Sequence, residues 1–225
     1  MKKTCMLVLT VLMAASLGTA IGFTAMPANA LEHGAADENG WVQNDSMDAI
    51  TLNEEGASVI TTTANGAMTY NATALDVTKD NYITFRSDII NAGDNWLGVY
   101  LVDDTTAVMN GTINYIAGSS DAVKIGAIMR SGAMILGSGY ASTSVGQIGT
   151  TVGTPTDISQ YITVKYHIGT GVDGDVSYME INGTKVVGEN NASLSVTQAD
   201  FTDGKAYVAY HTLNPRVIYA MAPNE

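Results

Sequence analysis

Apolar and polar side chains alternate along residues 160–187, and this alternation is the clearest structural signal in the chain. A period of two places successive side chains on opposite faces of a β-strand. In the first strand the apolar set is Ile162, Val164, Tyr166 and Ile168, and the set between them is Tyr161, Thr163, Lys165 and His167. A Gly/Asp-rich loop at 169–175 leads to a second strand. Asn182-Gly183 then predicts a tight hairpin turn, because Asn-Gly suits the positive φ of a type I′ turn.

The same period of two recurs along most of the chain, and a helical period is almost absent. Turn signals rich in Gly, Asn and Asp separate the strands at short intervals. The predicted strands cover residues 48–52, 58–63, 67–70, 81–89, 95–103, 113–116, 123–130, 133–136, 161–168, 176–181, 184–187, 194–196, 205–211 and 216–221. Because two stacked sheets bury many one-sided strands, we predict an all-β fold, a two-sheet antiparallel β-sandwich of the jelly-roll type.

Three stretches lack a clear strand pattern. Residues 31–47 are polar, with one exposed-looking aromatic, Trp41, and we interpret them as a partly ordered lead-in. Residues 104–122 are loop-like apart from the short piece at 113–116. Residues 137–156 are rich in Gly, Ser and Thr and predict a long loop, which in a compact domain is often functional. No linker interrupts residues 48–225, so we expect a single domain there.

The N-terminus has the pattern of a secretory signal peptide over residues 1–30. Met1-Lys2-Lys3 is a short basic start, an apolar run extends from Met6 to Ala15, and Ala28-Asn29-Ala30 fits an A-x-A cleavage site. An uncleaved membrane anchor is the alternative, since the mostly apolar stretch continues to Met26. We expect cleavage after Ala30, a mature chain without a transmembrane span, and a secreted protein outside the cell or at its surface.

The amino-acid composition limits the kinds of partner that the mature chain is expected to bind. The only cysteine, Cys5, lies within the signal peptide, so the mature chain is expected to contain no disulfide. Loss of Lys2 and Lys3 leaves eight basic against 22 acidic residues and moves the formal net charge from −12 to −14. So acidic a chain disfavours nucleic acid or an anionic membrane as partner. It is compatible with divalent cations and neutral ligands, whereas an anionic polysaccharide would need a local basic patch.

The order of elements resembles the concanavalin A-like lectin/glucanase superfamily, including its laminin G-like members. The elements that carry this resemblance are the strand Tyr161–Ile168, the turn Ile181-Asn182-Gly183, the segment Leu194-Ser195-Val196, the F-x-D-G turn Phe201–Gly204, the strand Lys205–Tyr210 and the segment Asn95–Asp103. The resemblance covers most of the mature chain in outline and implies a two-sheet sandwich. It implies no single function, because the superfamily contains lectins, adhesion modules, hydrolases and lyases.

The enzyme motifs of that superfamily are incomplete in this chain. Its retaining glucanases carry an E-x-D-x-x-E strand, which supplies a nucleophile and a general acid, whereas Glu180 stands alone here. Its alginate lyases carry R-S/T-E and Q-I/V-H strands and a Tyr-rich strand. Arg86-Ser87-Asp88 and Tyr207–His211 are partial matches, but Gln147-Ile148-Gly149 lacks the histidine. No catalytic residue is assigned.

A pair of aromatic residues is the best candidate for ligand binding. Trp96 and Tyr100 fall on the same face of the predicted strand 95–103, about 13 Å apart at ~3.3 Å per residue. Aromatic side chains stack on the apolar faces of sugar rings. Arg86, Asp88 and Tyr82 would supply a polar rim if the two strands are adjacent. The alternative is that Trp96 belongs to the core.

Two pairs of aspartates are candidate calcium ligands, Asp103-Asp104 and Asp173-x-Asp175. Calcium prefers several oxygen ligands, which carboxylates in short loops can provide. Neither pair matches an EF-hand, and both have the composition of ordinary acidic turns.

These observations predict a secreted carbohydrate-binding or adhesion module without catalytic activity, with a glycan or polysaccharide as partner and Ca²⁺ as the one cofactor suggested. A polysaccharide-degrading enzyme of the same fold, a lyase more than a hydrolase, is the first alternative. A structural or protein-binding surface domain is the second.

Overall fold

In the described part of the chain, the regular structure consists of fourteen β-strands, one short α-helix and two 3-10 helices, Gln198–Asp200 and Thr202–Gly204. The computed structural model describes residues 31–89, 96–110, 122–130, 133–138, 147–148, 159–186 and 196–225. Sheet I contains, in spatial order, β1 (Thr51–Leu52), β2 (Ser58–Thr61), β14 (Arg216–Ala220), β5 (Asn81–Ile89), β10 (Ile162–His167), β11 (Tyr178–Ile181) and β12 (Thr184–Val186). Among the described residues, no helix is long and apolar enough to span a membrane.

Sheet II forms the second layer. Its order is β3 (Ala67–Tyr70), β13 (Lys205–Thr212), β6 (Trp96–Val102), β7 (Val123–Arg130), β8 (Ala133–Ser138) and β9 (Gln147–Ile148), and β4 (Leu75–Asp76) also pairs with β13. The strand pairs of both sheets are antiparallel. The predicted all-β, two-sheet antiparallel sandwich is therefore confirmed.

The core lies between the inward faces of the two sheets, as the alternation predicts. Sheet I contributes fully buried side chains such as Ile83, Phe85 and Val164, and sheet II contributes Val99 and Val208. A hydrogen bond crosses the core, since the Tyr166 hydroxyl of β10 donates to the Val99 carbonyl of β6 at 2.8 Å. The register of β11 with β12 places Ile181 opposite Thr184, and Asn182 and Gly183 both have positive φ, which confirms the predicted hairpin.

Part of the lead-in predicted at residues 31–47 instead belongs to the core, to which it contributes Trp41 and Met47. Trp41 is 0% exposed, its ring stacks on Tyr210 with centroids 4.6 Å apart, and its indole N–H donates to the Met221 carbonyl at 3.3 Å. Residues Leu31–Glu225 form one compact unit. The prediction of an exposed Trp41 was wrong because a single aromatic among polar residues carries no periodic signal, and only the tertiary fold shows what covers it.

Local predictions failed in two further places. Residues 104–122, expected to be loop-like, contain helix α1 (Thr105–Met109), which the Asp104 side chain caps by accepting from the Thr106 amide at 2.8 Å. The loop predicted at 137–156 contains the end of β8 and the whole of β9, and β9 pairs with Met134 and Ile135 of β8. The predicted strand 113–116 and most of 194–196 lie outside the described residues.

Sheet II carries a second apolar cluster on its outward face. Tyr100 lies at its centre, 0% exposed, with Val102, Met68 and Ala209 around it and Val108 of α1 packed against them. Its ring lies directly over Gly98 of β6 and Gly126 of β7, where an added Cβ atom would overlap ring atoms. Both positions thus require glycine for lack of space.

Replacing Gly126 with Ala is expected to lower the free energy of unfolding by about 1–3 kcal/mol, because the Tyr100 ring must move out of a packed site. Urea unfolding followed by circular dichroism measures the change. The same substitution in a Tyr100→Ala background is the control, since the overlapping ring is then absent. An equal cost in both backgrounds would contradict this explanation.

Candidate functional site

The outward face of sheet I is the surface on which polar and aromatic side chains collect. Every second side chain of its central strands points away from the core and remains partly exposed. On β5 these side chains are Tyr82, Thr84, Arg86 and Asp88, which confirms that the three predicted rim residues share one face. Neighbouring strands add tyrosines and charged groups, which form two clusters at opposite ends of the face.

Arg86 is the centre of the first cluster. Its guanidinium carbon lies 3.5 Å from the ring centroid of Tyr219 on β14 and 5.4 Å from that of Tyr161, just before β10. A guanidinium held against aromatic rings in this way gains cation–π attraction and loses conformational freedom. We name Arg86, Tyr161, Tyr219 and Asp88 the Arg86 cluster.

Carboxylates orient the groups around Arg86. Asp88 lies 3.5 Å from a guanidinium nitrogen and accepts a hydrogen bond from the Tyr219 hydroxyl at 3.0 Å. The Tyr161 hydroxyl donates to Glu55 at 2.8 Å. Partial burial and the hydrogen bond to Asp88 raise the pKa of Tyr219 above its ordinary value. The hydroxyl therefore stays protonated at neutral pH and keeps this bond.

His167 is the centre of the second cluster. Its Nδ1 lies 2.8 Å from Asp80, which precedes β5, and its Nε2 lies 3.0 Å from Asp175, the last residue of the Gly/Asp-rich loop. The imidazole stacks on Tyr178 of β11 with centroids 4.7 Å apart. Two lysines also approach the Tyr178 ring, Lys165 at 5.0 Å and Lys185 at 4.2 Å. We name these four residues, His167, Tyr178, Lys165 and Lys185, the Tyr178 cluster.

The carboxylates beside His167 favour its charged form. Partial burial opposes the charge, but the hydrogen bonds to Asp175 and Asp80 outweigh burial, so the pKa of His167 is raised. The hydrogen bond from His167 in turn lowers the pKa of Asp175 to about 2. Asp175 also accepts from the Thr170 amide at 2.8 Å, so it ties the loop at 169–175 to His167.

This geometry predicts a pH-dependent contribution of His167 to stability. Because the folded pKa is raised above the ordinary value of about 6.5, the stabilisation is complete below that pH and declines as the pH rises through the folded pKa. The difference in free energy of unfolding between the wild type and His167→Gln should therefore shrink from pH 5 to pH 9, as measured by urea unfolding.

The buried His211 also makes stability depend on pH. The difference in free energy of unfolding between the wild type and His167→Gln is therefore more informative than the pH dependence of either protein alone. Burial lowers the pKa of His211 to about 4, so the folded state of both proteins loses stability as the pH falls from about 6.5 towards 4. That effect cancels in the difference. A difference that stays constant or grows with pH would contradict the proposed role of His167.

The structure does not bring the five predicted ligand-binding residues together. Tyr82, Arg86 and Asp88 lie on β5 of sheet I, whereas Trp96 and Tyr100 belong to β6 of sheet II. Tyr100 is fully buried in the second apolar cluster, so the predicted platform with Trp96 is wrong for this residue. The side chain of Trp96 lies outside the described part of the structure. The expected adjacency of strands 81–89 and 95–103 was wrong, because the local pattern does not determine which strands pair in the same sheet.

The sequence did not single out Tyr161, Tyr178 or Tyr219 as site residues. The alternation along β10 already placed Tyr161 with Lys165 and His167 on the polar face, and that signal would have sufficed for this strand. Tyr219 reaches Arg86 because β14 pairs with β5 in the register Tyr219 to Arg86. No local pattern announces that pairing.

The four candidate calcium ligands each have a role in the protein. Asp103 lies 3.2 Å from Lys124, Asp104 caps α1, Asp175 holds His167, and Asp173 adopts the left-handed conformation of a turn, with φ 53°. Within the described residues, no group of three or more His, Cys, Asp or Glu is arranged to hold a metal ion. Calcium binding at these residues stays a prediction, which a rise in melting temperature with Ca²⁺, reversed by chelator, would support.

A cavity of about 230 Å³ lies away from this face. Its lining includes Asn44, Ser46, Met68 and Val108, so it sits beside β3 and α1. The Asn44 side chain is already engaged, since its oxygen accepts from the amide and hydroxyl of Ser46. The cavity is therefore a second and weaker candidate for ligand binding.

Known proteins resemble this chain in fold alone. No family model and no curated protein matches the sequence. Similar solved structures include lectin II from Ulex europaeus (9% identity, 85% of this chain and 95% of that chain, TM-score 0.45) and the carbohydrate-binding module CBM66 from Bacillus subtilis (11%, 85% and 99%, 0.45). The metal-free carbohydrate recognition domain of Emp46p is a third (13%, 86% and 94%, 0.47). All three similarities are distant, with identities of 13% or less and TM-scores of 0.47 or less.

Proposed function

We propose that this protein is a secreted carbohydrate-binding or adhesion module without catalytic activity, and that its ligand lies on the outward face of sheet I. The observation that carries this proposal is the Arg86 cluster. It combines a guanidinium stacked at 3.5 Å on Tyr219 with a carboxylate that accepts from the same tyrosine at 3.0 Å.

Such a cluster suits the chemistry of sugars. Each sugar hydroxyl both donates and accepts hydrogen bonds, and it can bridge a guanidinium N–H and a carboxylate oxygen that lie side by side. The ring edges of Tyr161 and Tyr219 add apolar surface for the sugar C–H groups. Since the hydrogen bonds of these tyrosines to Glu55 and Asp88 fix the groups before binding, little conformational entropy is lost when a ligand docks.

The carboxylates of this face favour binding over hydrolysis. A glycosidase needs one carboxyl whose pKa is raised, so that it can donate a proton at neutral pH. The two carboxyls beside His167 on this face, Asp80 and Asp175, have pKa values that are lowered and not raised. They are ionised at neutral pH and accept hydrogen bonds, so they do not supply that proton.

A glycan array probed with the purified protein, with calcium and with chelator, tests the proposal. We expect specific binding to a set of glycans, lost in Tyr219→Ala and kept in Tyr207→Ala, a matched half-buried tyrosine on sheet II. Signal loss with chelator would add calcium to the site.

Three outcomes would contradict the proposal. Absence of binding to every glycan would favour the protein-binding alternative. The release of unsaturated products from a polysaccharide would favour the lyase. Binding that both tyrosine variants retain equally would move the site elsewhere.

A further inference from the structure

The two clusters lie at opposite ends of one strand. Tyr161 of the Arg86 cluster immediately precedes β10 and His167 of the Tyr178 cluster ends it, so these two residues are six positions apart, about 20 Å at ~3.3 Å per residue. In the register of β10 with β11, His167 lies opposite Tyr178. Both clusters belong to the same outward face.

Polar side chains continue between the two clusters. Thr84 and Thr163 lie side by side with their hydroxyl oxygens 2.9 Å apart, and Tyr82 pairs in register with Lys165 of the Tyr178 cluster. The surface is therefore a strip across neighbouring strands, with hydrogen-bonding groups at each step. The cavity of about 230 Å³ lies elsewhere, beside β3 and α1.

The positively charged side chains of this strip lie close to carboxylates of the same surface. Asp88 lies 3.5 Å from Arg86, and Lys165 lies 3.3 Å from Asp80 and 3.1 Å from Glu180. Lys185 lies opposite Glu180 in the register of β11 with β12. A polyanion would have to displace these carboxylates without meeting an excess of positive charge, whereas a neutral ligand leaves the ion pairs intact.

We propose that the ligand is an internal stretch of a neutral, extended polysaccharide that contacts the Arg86 cluster and the Tyr178 cluster at once. This inference rests on the proposed sugar-binding function. Two contact points about 20 Å apart require several linked sugar rings. Engagement of the first cluster raises the effective concentration of the chain at the second, so affinity grows with chain length.

Titration calorimetry with disaccharides and hexasaccharides of the cello-, xylo- and laminari-series tests whether affinity depends on chain length. We expect at least one series to bind, with the hexasaccharide bound about tenfold or more tighter than the disaccharide. Tyr178→Ala and Lys185→Ala should each remove most of that gain. Lys205→Ala, an exposed lysine on sheet II, should leave it unchanged. Lys185 is itself exposed, so its substitution reports on binding even if Tyr178→Ala fails to fold.

Affinity electrophoresis tests the charge of the ligand, with xylan and laminarin against alginate and polygalacturonate. Retardation by a neutral polymer, insensitive to NaCl, is expected. Two results would overturn the inference but leave sugar binding intact. One is equal affinity for the disaccharide and the hexasaccharide. The other is retardation of the protein by the anionic polymers, if added salt abolishes that retardation. Failure to bind any of these polymers and any glycan of the array would instead overturn the proposed function itself.

Discussion

Trp41→Ala is expected to cost about 3–5 kcal/mol of the free energy of unfolding, the largest effect of any substitution considered for this protein. The indole is 0% exposed and stacks on Tyr210, whose ring also lies 5.4 Å from that of Phe85, so its removal opens a cavity in the aromatic part of the core. The Met221 carbonyl also loses the indole N–H as its donor. Urea unfolding at neutral pH measures the loss.

The same segment provides a control and a sharper variant. Glu38→Ala changes an exposed side chain three residues away and should alter stability by no more than about 0.5 kcal/mol. Removal of residues 31–47 should prevent folding altogether, because Trp41 also forms a β-bridge with Asn71, the residue that follows β3. A truncated protein beginning at residue 48 that unfolds cooperatively would show that the segment is a dispensable lead-in after all.

The second large effect is expected at Arg86. Arg86→Ala should weaken glycan binding about tenfold to a hundredfold, because it removes the central donor and leaves Tyr161, Tyr219 and Asp88 without the group between them. Stability should change little, since the side chain is 24% exposed and lies outside the core. Calorimetry with the best ligand of the array, together with thermal melting, separates the two effects.

The Arg86→Lys variant separates the contribution of the positive charge to binding from that of the guanidinium geometry. A lysine keeps the positive charge but lacks the planar fork that stacks between two rings and presents several donors. We therefore expect it to behave like Arg86→Ala in binding, while Lys205→Ala behaves like the wild type. Full binding by Arg86→Lys would mean that charge alone matters, which would also argue against a neutral ligand.

Part of this site was predictable from the sequence because alternation is a local property. The period of two along residues 81–88 placed Tyr82, Arg86 and Asp88 on one face, and the structure agrees. The same rule applied to β10 gives Tyr161, Lys165 and His167 on its polar face. The order of the strands in the sheet, in contrast, is not a local property of the sequence. Asp88 and Tyr219 are 131 residues apart in the chain, and only the sheet order brings them together.

Burial was the other property that local patterns could not decide. Trp41 and Tyr100 are both fully buried, one stacked on Tyr210 and the other lying over Gly98 and Gly126. Alternation placed Tyr100 on the face opposite Leu97, which is correct, but that face of β6 is covered as well. A glycine two residues from an aromatic residue in a strand, as Gly98 is from Tyr100, can thus indicate a packed ring as readily as an open surface.

Chemical-shift mapping of the backbone amides, with and without a glycan identified on the array, tests the central claim most directly. If the outward face of sheet I binds sugar, the perturbed amides should follow β5, β10, β11 and β14, with the largest changes near Arg86, Tyr161 and Tyr219. Perturbations confined to β3, α1 and the cavity lined by Asn44, Met68 and Val108 would contradict the account and place the binding site beside sheet II.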